Sequence, residues 1–167
     1  KYSETINLAK DIIGVKDGYK HIGAMHIVNG KKGVLFLADT LFNRHPSPEA
    51  LIDIARLADD TVRFFAHDPV ISMLSYSNFG NDKTGTPADV RKVVEELHAN
   101  YPEMVVDGEM QVNIALNKEL RDQKYPFTKL NGKDVNTLVF PNLSSANTAY
   151  KLLVESGVGD VVGPIQM

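Results

Sequence analysis

The 167-residue chain is long enough for one domain with a hydrophobic core and too short for two domains, so we expect one core; its 43% hydrophobic and 23% charged residues exclude a disordered chain. A formal charge of −3, without any cluster of Lys and Arg, argues against a nucleic-acid partner. The lack of cysteine excludes disulfides and Cys-based zinc sites, and no apolar run approaches the roughly twenty residues of a membrane span, so we expect a cytoplasmic protein without a membrane partner.

The first part of the chain predicts a helix and an antiparallel hairpin. Residues 4–13 form a short amphipathic pattern that ends at Gly14. Two β-prone runs follow at residues 21–28 and 34–38, and residues 29–33 between them include two glycines. Because a short glycine-containing link between such runs is typical of a hairpin, this part of the sheet should be antiparallel.

A helix and a buried strand come next. Residues 47–49 (Ser-Pro-Glu) provide an N-cap, a proline at the first helical position and an acid in the first turn. The nearly all-apolar run at residues 70–74 is typical of a strand that is buried on both faces of a parallel sheet. A loop at residues 75–86 leads to a second helix, for which a Thr-Pro pair at residues 86–87 is the predicted cap.

The rest of the chain predicts the same alternation of strand and helix. Residues 104–106 are a predicted strand, residues 107–109 a turn and residues 110–124 one or two helical pieces. A strand at 137–140, a polar turn at 141–145, a helix at 147–155 and a last strand at 160–165 follow. Alternating strands and helices imply crossover connections and a sheet covered on both faces. We therefore expect a single α/β domain with three αβα layers and a mostly parallel sheet that carries an antiparallel hairpin.

Both ends of the chain suggest a piece of a longer protein. The chain begins with Lys1 and stops at Met167, directly after the last predicted strand. Since such a strand normally continues into a loop and a helix, we expect this chain to be a fragment.

Polar segments follow several predicted strands, where open α/β sheets bind their ligands. These segments are residues 75–80, 107–111 and 141–147, with Gly163-Pro164 in the last strand. The first and third precede helix N-termini, whose free N–H groups favour an anion, so a phosphate-bearing ligand is one interpretation. The other is that Ser75, Ser77, Asn142 and Ser144 are helix caps and turn residues, which is their more usual role.

Other chemically active residues give weaker signals. Asp39, Asp107 and Glu109 could act as acids and bases or hold a metal, but isolated carboxylates at strand ends usually cap helices or stay solvated. The five histidines, His26 among them, lack metal-binding spacing and are expected at the surface or packed. Lys151 lies one turn after the start of its helix and could reach an anion there. No P-loop spacing is present, and we expect neither catalytic residues nor a metal site in this chain.

Five segments, in order along the chain, carry a family resemblance. They are Ala38-Asp39-Thr40 with Asn43, Leu74-Ser75-Tyr76-Ser77-Asn78-Phe79-Gly80, Asp107-Gly108-Glu109-Met110-Gln111 with Ala115-Leu116, Phe140-Pro141-Asn142-Leu143 with Ala146-Asn147-Thr148-Ala149-Tyr150-Lys151, and Gly163-Pro164-Ile165. Together they resemble the phosphate acetyltransferase superfamily. The loop at residues 77–80 is most similar to the phosphotransacetylase-like region at the C-terminal end of bacterial NADP-dependent malic enzymes.

The resemblance implies a fold like that of isocitrate and isopropylmalate dehydrogenases and makes this chain the second lobe of that region. It implies that acetyl-CoA or an acyl phosphate is the ligand, that the chain forms at least a homodimer, and that NADP and Mg²⁺ or Mn²⁺ belong to a separate catalytic part. The implied binding residues are Ser75, Ser77, Asn78, Gly80, Asp107, Gly108, Asn142, Ser145, Asn147, Tyr150, Lys151, Gly163 and Pro164.

Three functions stay open at this point. The chain could be an acetyl-CoA-sensing, oligomerising regulatory region of a malic enzyme, which decarboxylates malate oxidatively to pyruvate. It could instead be the second domain of a phosphate acetyltransferase, which moves acetyl between CoA and phosphate. A third possibility is a scaffold whose polar loops bind nothing without a partner lobe. In the active transferases a Ser-Arg pair lies downstream of the Gly-Pro strand, beyond Met167, so this chain alone is not expected to catalyse transfer.

Overall fold

The computed structural model describes residues 14–167, and the helix predicted at residues 4–13 lies outside this part. The strands and helices are β1 (Ala24–Gly30), β2 (Gly33–Ala38), α1 (Pro48–Phe64), β3 (Ile71–Leu74), α2 (Gly85–Asn100), β4 (Val106–Met110), α3 (Val112–Leu116), α4 (Lys118–Lys124), β5 (Thr137–Val139), α5 (Leu143–Glu155) and β6 (Gly159–Gln166). None of the helices in this part combines the length and the apolar composition that a membrane crossing requires.

The six strands form one mixed sheet in the order β4-β3-β5-β2-β1-β6. Neighbours from β4 to β2 pair in parallel, whereas β1 is antiparallel to both β2 and β6. The predicted mostly parallel sheet with an antiparallel hairpin is therefore confirmed. Because only β1 runs against the others, the C-terminal ends of the other five strands meet at one edge of the sheet, here called the carboxyl edge.

Helices cover both faces of the sheet. Phe36 and Leu37 are neighbours in β2 and point to opposite faces, as side chains of a strand do. Phe36 belongs to a core that includes Ile54 of α1 and Val93 of α2. Leu37 belongs to a second core that includes Ile114 of α3. Within residues 14–167, two hydrophobic cores, one on each face of the sheet, thus hold three layers together. The three layers agree with the prediction. The expectation of a single core is wrong, because a sheet covered on both faces separates its apolar side chains into two groups.

The start of α1 follows its sequence signals. Ser47 accepts a hydrogen bond from the backbone N–H of Ala50 at 3.2 Å, Pro48 opens the helix and Glu49 lies in its first turn. The Ser side chain satisfies a backbone donor that has no partner within the helix, and the acid interacts favourably with the helix dipole. The predicted start of α1 is confirmed.

Two helices begin earlier than predicted. Helix α2 starts at Gly85 with Thr84 at the N-cap position, so Thr86 and Pro87 lie inside its first turn. Proline is tolerated there because the first N–H groups of a helix have no partner within it. Helix α5 starts at Leu143, so the turn predicted at residues 141–145 is largely the first turn of the helix.

The turn predicted at residues 107–109 is wrong, since these residues lie within β4. A buried strand accommodates two carboxylates here because both accept hydrogen bonds from distant residues. Asp107 accepts from the Thr128 hydroxyl at 2.6 Å, and Glu109 accepts from the Gly80 N–H at 2.7 Å. Gly108 has a φ of +154°, and a Cβ atom there would lie 2.5 Å from the carbonyl oxygen of Met73. The glycine thus lets two backbones approach closely, which a turn interpretation overlooks.

Candidate functional site

The polar segments predicted to bind a ligand separate into two groups along the carboxyl edge. The first group, the loop at residues 75–80, follows β3 beside β4. The second group consists of α5 residues and the Gly163-Pro164 pair of β6, which meet residues of β1 and of the loop after β2. Between the two groups, β5 ends at the turn that carries Asn142. The predicted gathering along one edge is therefore partial, because Asp107 and Gly108 lie inside β4, where Asp107 is the second residue of the strand.

The loop at residues 75–80 is attached to the end of β4. Asn78 Oδ1 accepts from the backbone N–H of Gln111 at 2.8 Å, and Asn78 Nδ2 donates to Gln111 Oε1 at 3.1 Å. The Ser77 hydroxyl accepts from the Asp82 N–H at 3.0 Å and donates to Glu109 Oε1 at 3.4 Å. Both side chains are buried, so in this structure their polar atoms hold the loop in place.

Glu109 is the centre of these contacts, although it was not among the predicted binding residues. Its side chain is fully buried, and Oε1 accepts from Gly80 N–H at 2.7 Å and from Arg91 Nη1 at 3.3 Å. Oε2 is also buried and has no hydrogen-bond partner within residues 14–167. The sequence suggested that Glu109 is an acid, a base or a metal ligand. Its contacts in the structure indicate instead that it positions the loop at residues 75–80.

The other two candidate carboxylates are engaged by the backbone. Asp39 accepts from the Ala24 N–H at 2.9 Å and from the Asn43 N–H at 2.7 Å. It also accepts from the N–H groups of Leu41 and Phe42 in the loop after β2. Asp107 accepts from the Lys129 N–H at 2.8 Å in addition to the Thr128 hydroxyl. In the described part of the chain, no three His, Cys, Asp or Glu side chains group to hold a metal ion.

Asn142 and Ser145 cap α5. Asn142 Oδ1 accepts from the Ser145 N–H at 2.9 Å, and the Ser145 hydroxyl donates to the Asn142 carbonyl oxygen at 2.9 Å. These are the cap contacts that the sequence left open as the alternative to ligand binding. The predicted Asn142 thus fixes where the helix starts, and hence where the side chains one and two turns later are placed.

Four predicted residues come together in a cavity of about 210 Å³ between α5 and the sheet. The lining includes Asn147, Tyr150 and Lys151 of α5 and Pro164 of β6. Thr40 and Leu41, which follow the end of β2, also line it. Among residues 14–167, the lining contains a lysine and no carboxylate, which suits a negatively charged ligand. We call this space the α5 cavity.

His26 of β1 completes the α5 cavity and was missed as a site residue. Its ring stacks on Tyr150 with centroids 4.1 Å apart and an interplanar angle of 15°. Its Nδ1 lies 2.7 Å from Thr40 Oγ1, and burial lowers the pKa of His26. Gly163 makes room for the ring, since a Cβ atom there would lie 2.9 Å from it. Because side chains alternate along a strand, His26 points to the other face of the sheet from its neighbour Met25. No sequence signal indicates that this side chain contacts Tyr150.

Comparison with known proteins supports the family suggested by the motifs. A family model described as "Phosphate acetyl/butaryl transferase" matches residues 1–167. The NADP-dependent malic enzyme of Salmonella typhimurium is 37% identical over 167 residues, which are 99% of this chain and 22% of that protein. The phosphate acetyltransferase of Treponema pallidum is 36% identical over 140 residues, 82% of this chain and 41% of that protein.

Solved structures agree with this result. A phosphotransacetylase from Streptococcus pyogenes superposes with a TM-score of 0.91 at 32% identity, over 99% of this chain and 51% of that one. The chain thus spans about half of this transferase and 22% of the Salmonella malic enzyme. The family model covers every residue, and the chain belongs to the phosphate acetyl/butyryl transferase family.

Proposed function

We propose that this chain is the phosphotransacetylase-like region of an NADP-dependent malic enzyme and binds acetyl-CoA as an effector at the carboxyl edge. The observation that carries the proposal is the α5 cavity, where Asn147, Tyr150, Lys151 and Pro164 meet. NADP and a divalent metal, Mg²⁺ or Mn²⁺, would act in a separate catalytic part that oxidises and decarboxylates malate. Catalytic residues are not assigned to this chain.

The chemistry of the α5 cavity favours a phosphate or acyl phosphate group. The Lys151 ammonium supplies charge, and the amide of Asn147 and the hydroxyl of Tyr150 are hydrogen-bonding groups of the same lining. Hydrogen bonds from charged donors to phosphate oxygens are stronger than neutral ones. The part of the lining that the structure describes contains no carboxylate that would repel an anion.

The spacing along the edge favours a long ligand over a small one. From β3, which leads into the loop at residues 75–80, to β1, which lines the α5 cavity, there are three interstrand steps, or about 14 Å. An acyl phosphate fits inside the cavity but cannot reach the loop. CoA has phosphates joined to a long flexible arm, so acetyl-CoA could contact both groups.

A regulatory role requires two states of the whole protein. Acetyl-CoA inhibits only if it binds the less active state more tightly, and a homo-oligomer is a natural way to transmit that difference. Exposed apolar side chains at one end of the sheet are suited to such an assembly. Leu152 of α5 is 65% exposed and Val162 of the edge strand β6 is 60% exposed. We propose at least a dimer.

The test is the malate-dependent formation of NADPH by the full-length protein with increasing acetyl-CoA. We expect acetyl-CoA to lower the rate, and Lys151→Met to raise the half-inhibitory concentration about tenfold, the loss of one charged hydrogen bond. Lys31→Met is the matched control, because Lys31 is exposed in the β1–β2 turn at the opposite edge. A rate that does not respond to acetyl-CoA would overturn the regulatory role.

A phosphate acetyltransferase is the second candidate, favoured by the close superposition on the Streptococcus pyogenes phosphotransacetylase. In this case Asn142, Ser145, Asn147, Tyr150 and Lys151 would line the acyl-phosphate side. Acetyl-CoA formation from acetyl phosphate and CoA by the intact protein would support it. The scaffold interpretation instead expects a stable dimer with no heat of CoA binding. The classification with isocitrate and isopropylmalate dehydrogenases and the cytoplasmic location stay predictions.

A further inference from the structure

Two contacts hold the His26 ring in one orientation, and neither of them involves the ring nitrogen Nε2. Thr40 Oγ1 donates to the Ala24 carbonyl oxygen at 3.3 Å, so toward His26 it acts as an acceptor for Nδ1–H at 2.7 Å. Tyr150 stacks on one face of the ring. The position of Nε2 is therefore fixed by contacts that do not involve Nε2 itself.

The His26 ring lines the α5 cavity, although the residue as a whole is only 4% exposed. Within residues 14–167, Nε2 makes no hydrogen bond. A Cβ atom at Gly163 would lie 2.9 Å from Cδ2, the ring atom bonded to Nε2, and the neighbouring Pro164 lines the same cavity.

We propose that His26 is a ligand-binding residue of the α5 cavity and that its protonated ring binds the anionic group of the ligand together with Lys151. The inference rests on the proposed function for the identity of the ligand, a phosphate-bearing molecule. A protonated ring donates from Nδ1 to Thr40 and from Nε2 to the anion, so both N–H groups have acceptors. Anion affinity then rises as pH falls, because anion binding and protonation of His26 favour each other.

Few charged or titratable groups of the described residues 14–167 lie around His26. From α5 they are Lys151 and Tyr150, and from the loop after β2 the carboxylate of Asp39, which accepts backbone N–H groups. Strand β6 contributes Gly163 and Pro164, which do not titrate. Burial keeps the ring neutral near neutral pH in the absence of an anion, since it lowers the pKa of His26 below 6.5.

Sulfate is the probe for the test, because it remains a dianion from about pH 5 to about pH 8. Calorimetric titration of the 167-residue chain with sodium sulfate should give an affinity about tenfold higher at about pH 5 than at about pH 7.5, the effect of one added charged hydrogen bond. His26→Gln should remove most of this dependence. His67→Gln is the matched control, since His67 is exposed beyond the C-terminal end of α1 and does not line the cavity.

A second measurement does not depend on the folding of a variant. The pKa of His26, followed by NMR of the imidazole ring, should rise by about one unit in saturating sulfate, the same tenfold change expressed as linkage. A sulfate affinity that is equal at both pH values, or no sulfate binding at all, would overturn the inference. If His26→Gln loses the pH dependence while acetyl-CoA still inhibits the full-length protein, both the inference and the proposed function are supported. If wild type shows no pH dependence and acetyl-CoA still inhibits, only the inference is lost.

Discussion

Replacing Glu109 by alanine should be among the most destabilising single changes in the chain. Oε1 is the acceptor for the Gly80 N–H, the Ser77 hydroxyl and Arg91, and the side chain is fully buried. Glu109→Ala removes this acceptor from the Gly80 N–H and the Ser77 hydroxyl and opens a cavity, whereas Arg91 keeps the Asp82 carbonyl oxygen as an acceptor. Leaving a buried donor unsatisfied costs about 1–3 kcal/mol and the cavity adds to this, so we expect a total loss of about 3–5 kcal/mol. Urea unfolding followed by circular dichroism measures it.

Two further variants make the Glu109 prediction specific. Glu109→Gln keeps an oxygen for the Gly80 N–H and loses only the charge, so we expect a smaller loss of about 1–2 kcal/mol. Glu103→Ala removes an exposed carboxylate just before β4 and should change the unfolding free energy by less than about 0.5 kcal/mol. The reasoning is refuted if Glu109→Ala costs no more than Glu103→Ala.

The remaining predictions concern pH, backbone space and capping. Burial opposes ionisation of Asp53, but hydrogen bonds from two backbone N–H groups and the His21 ring outweigh it, so the pKa of Asp53 lies below its usual value. Its ionised form therefore stabilises the fold above about pH 4, and this stabilisation is lost as pH falls through the folded pKa; Asp53→Asn should flatten the acid limb of a stability–pH curve. Gly108→Ala should cost about 3 kcal/mol or more in urea unfolding, since its Cβ would lie 2.5 Å from the Met73 carbonyl oxygen, and retention of wild-type stability would contradict the close approach. Asn142→Ala should cost about 1 kcal/mol by loss of the α5 cap, and Asn142→Ser, which can cap, should restore most of it.

Local signals predicted the hairpin and the start of α1, because the residues that decide them are adjacent in sequence. Turn glycines decide the hairpin, and the Ser-Pro-Glu sequence decides the helix. The turn predicted at residues 107–109 is wrong for the opposite reason. Asp107 is satisfied by Thr128, and Glu109 by Gly80, which follows a different strand. A polar stretch can be a buried strand when its partners are distant in sequence.

The candidate site divides in the same way. The motifs at residues 146–151 and 163–165 belong to the five segments that carried the resemblance, which placed Asn147, Tyr150, Lys151 and Pro164 in one predicted site. His26 could not be added, because its contact with Tyr150 depends on how α5 packs over β1. Packing between elements that are far apart in the chain leaves no periodicity in either one. The structure therefore identifies the side of the cavity that sequence motifs do not describe.

Binding of acetyl-CoA to this chain, measured by calorimetry for wild type and Lys151→Met, tests most directly the claim that the α5 cavity is a ligand site. We expect saturable binding of one molecule per chain and an affinity about tenfold weaker in the variant, since a charged hydrogen bond to phosphate is lost. Equal affinities in the two proteins, or no heat of binding in either, would contradict the claim.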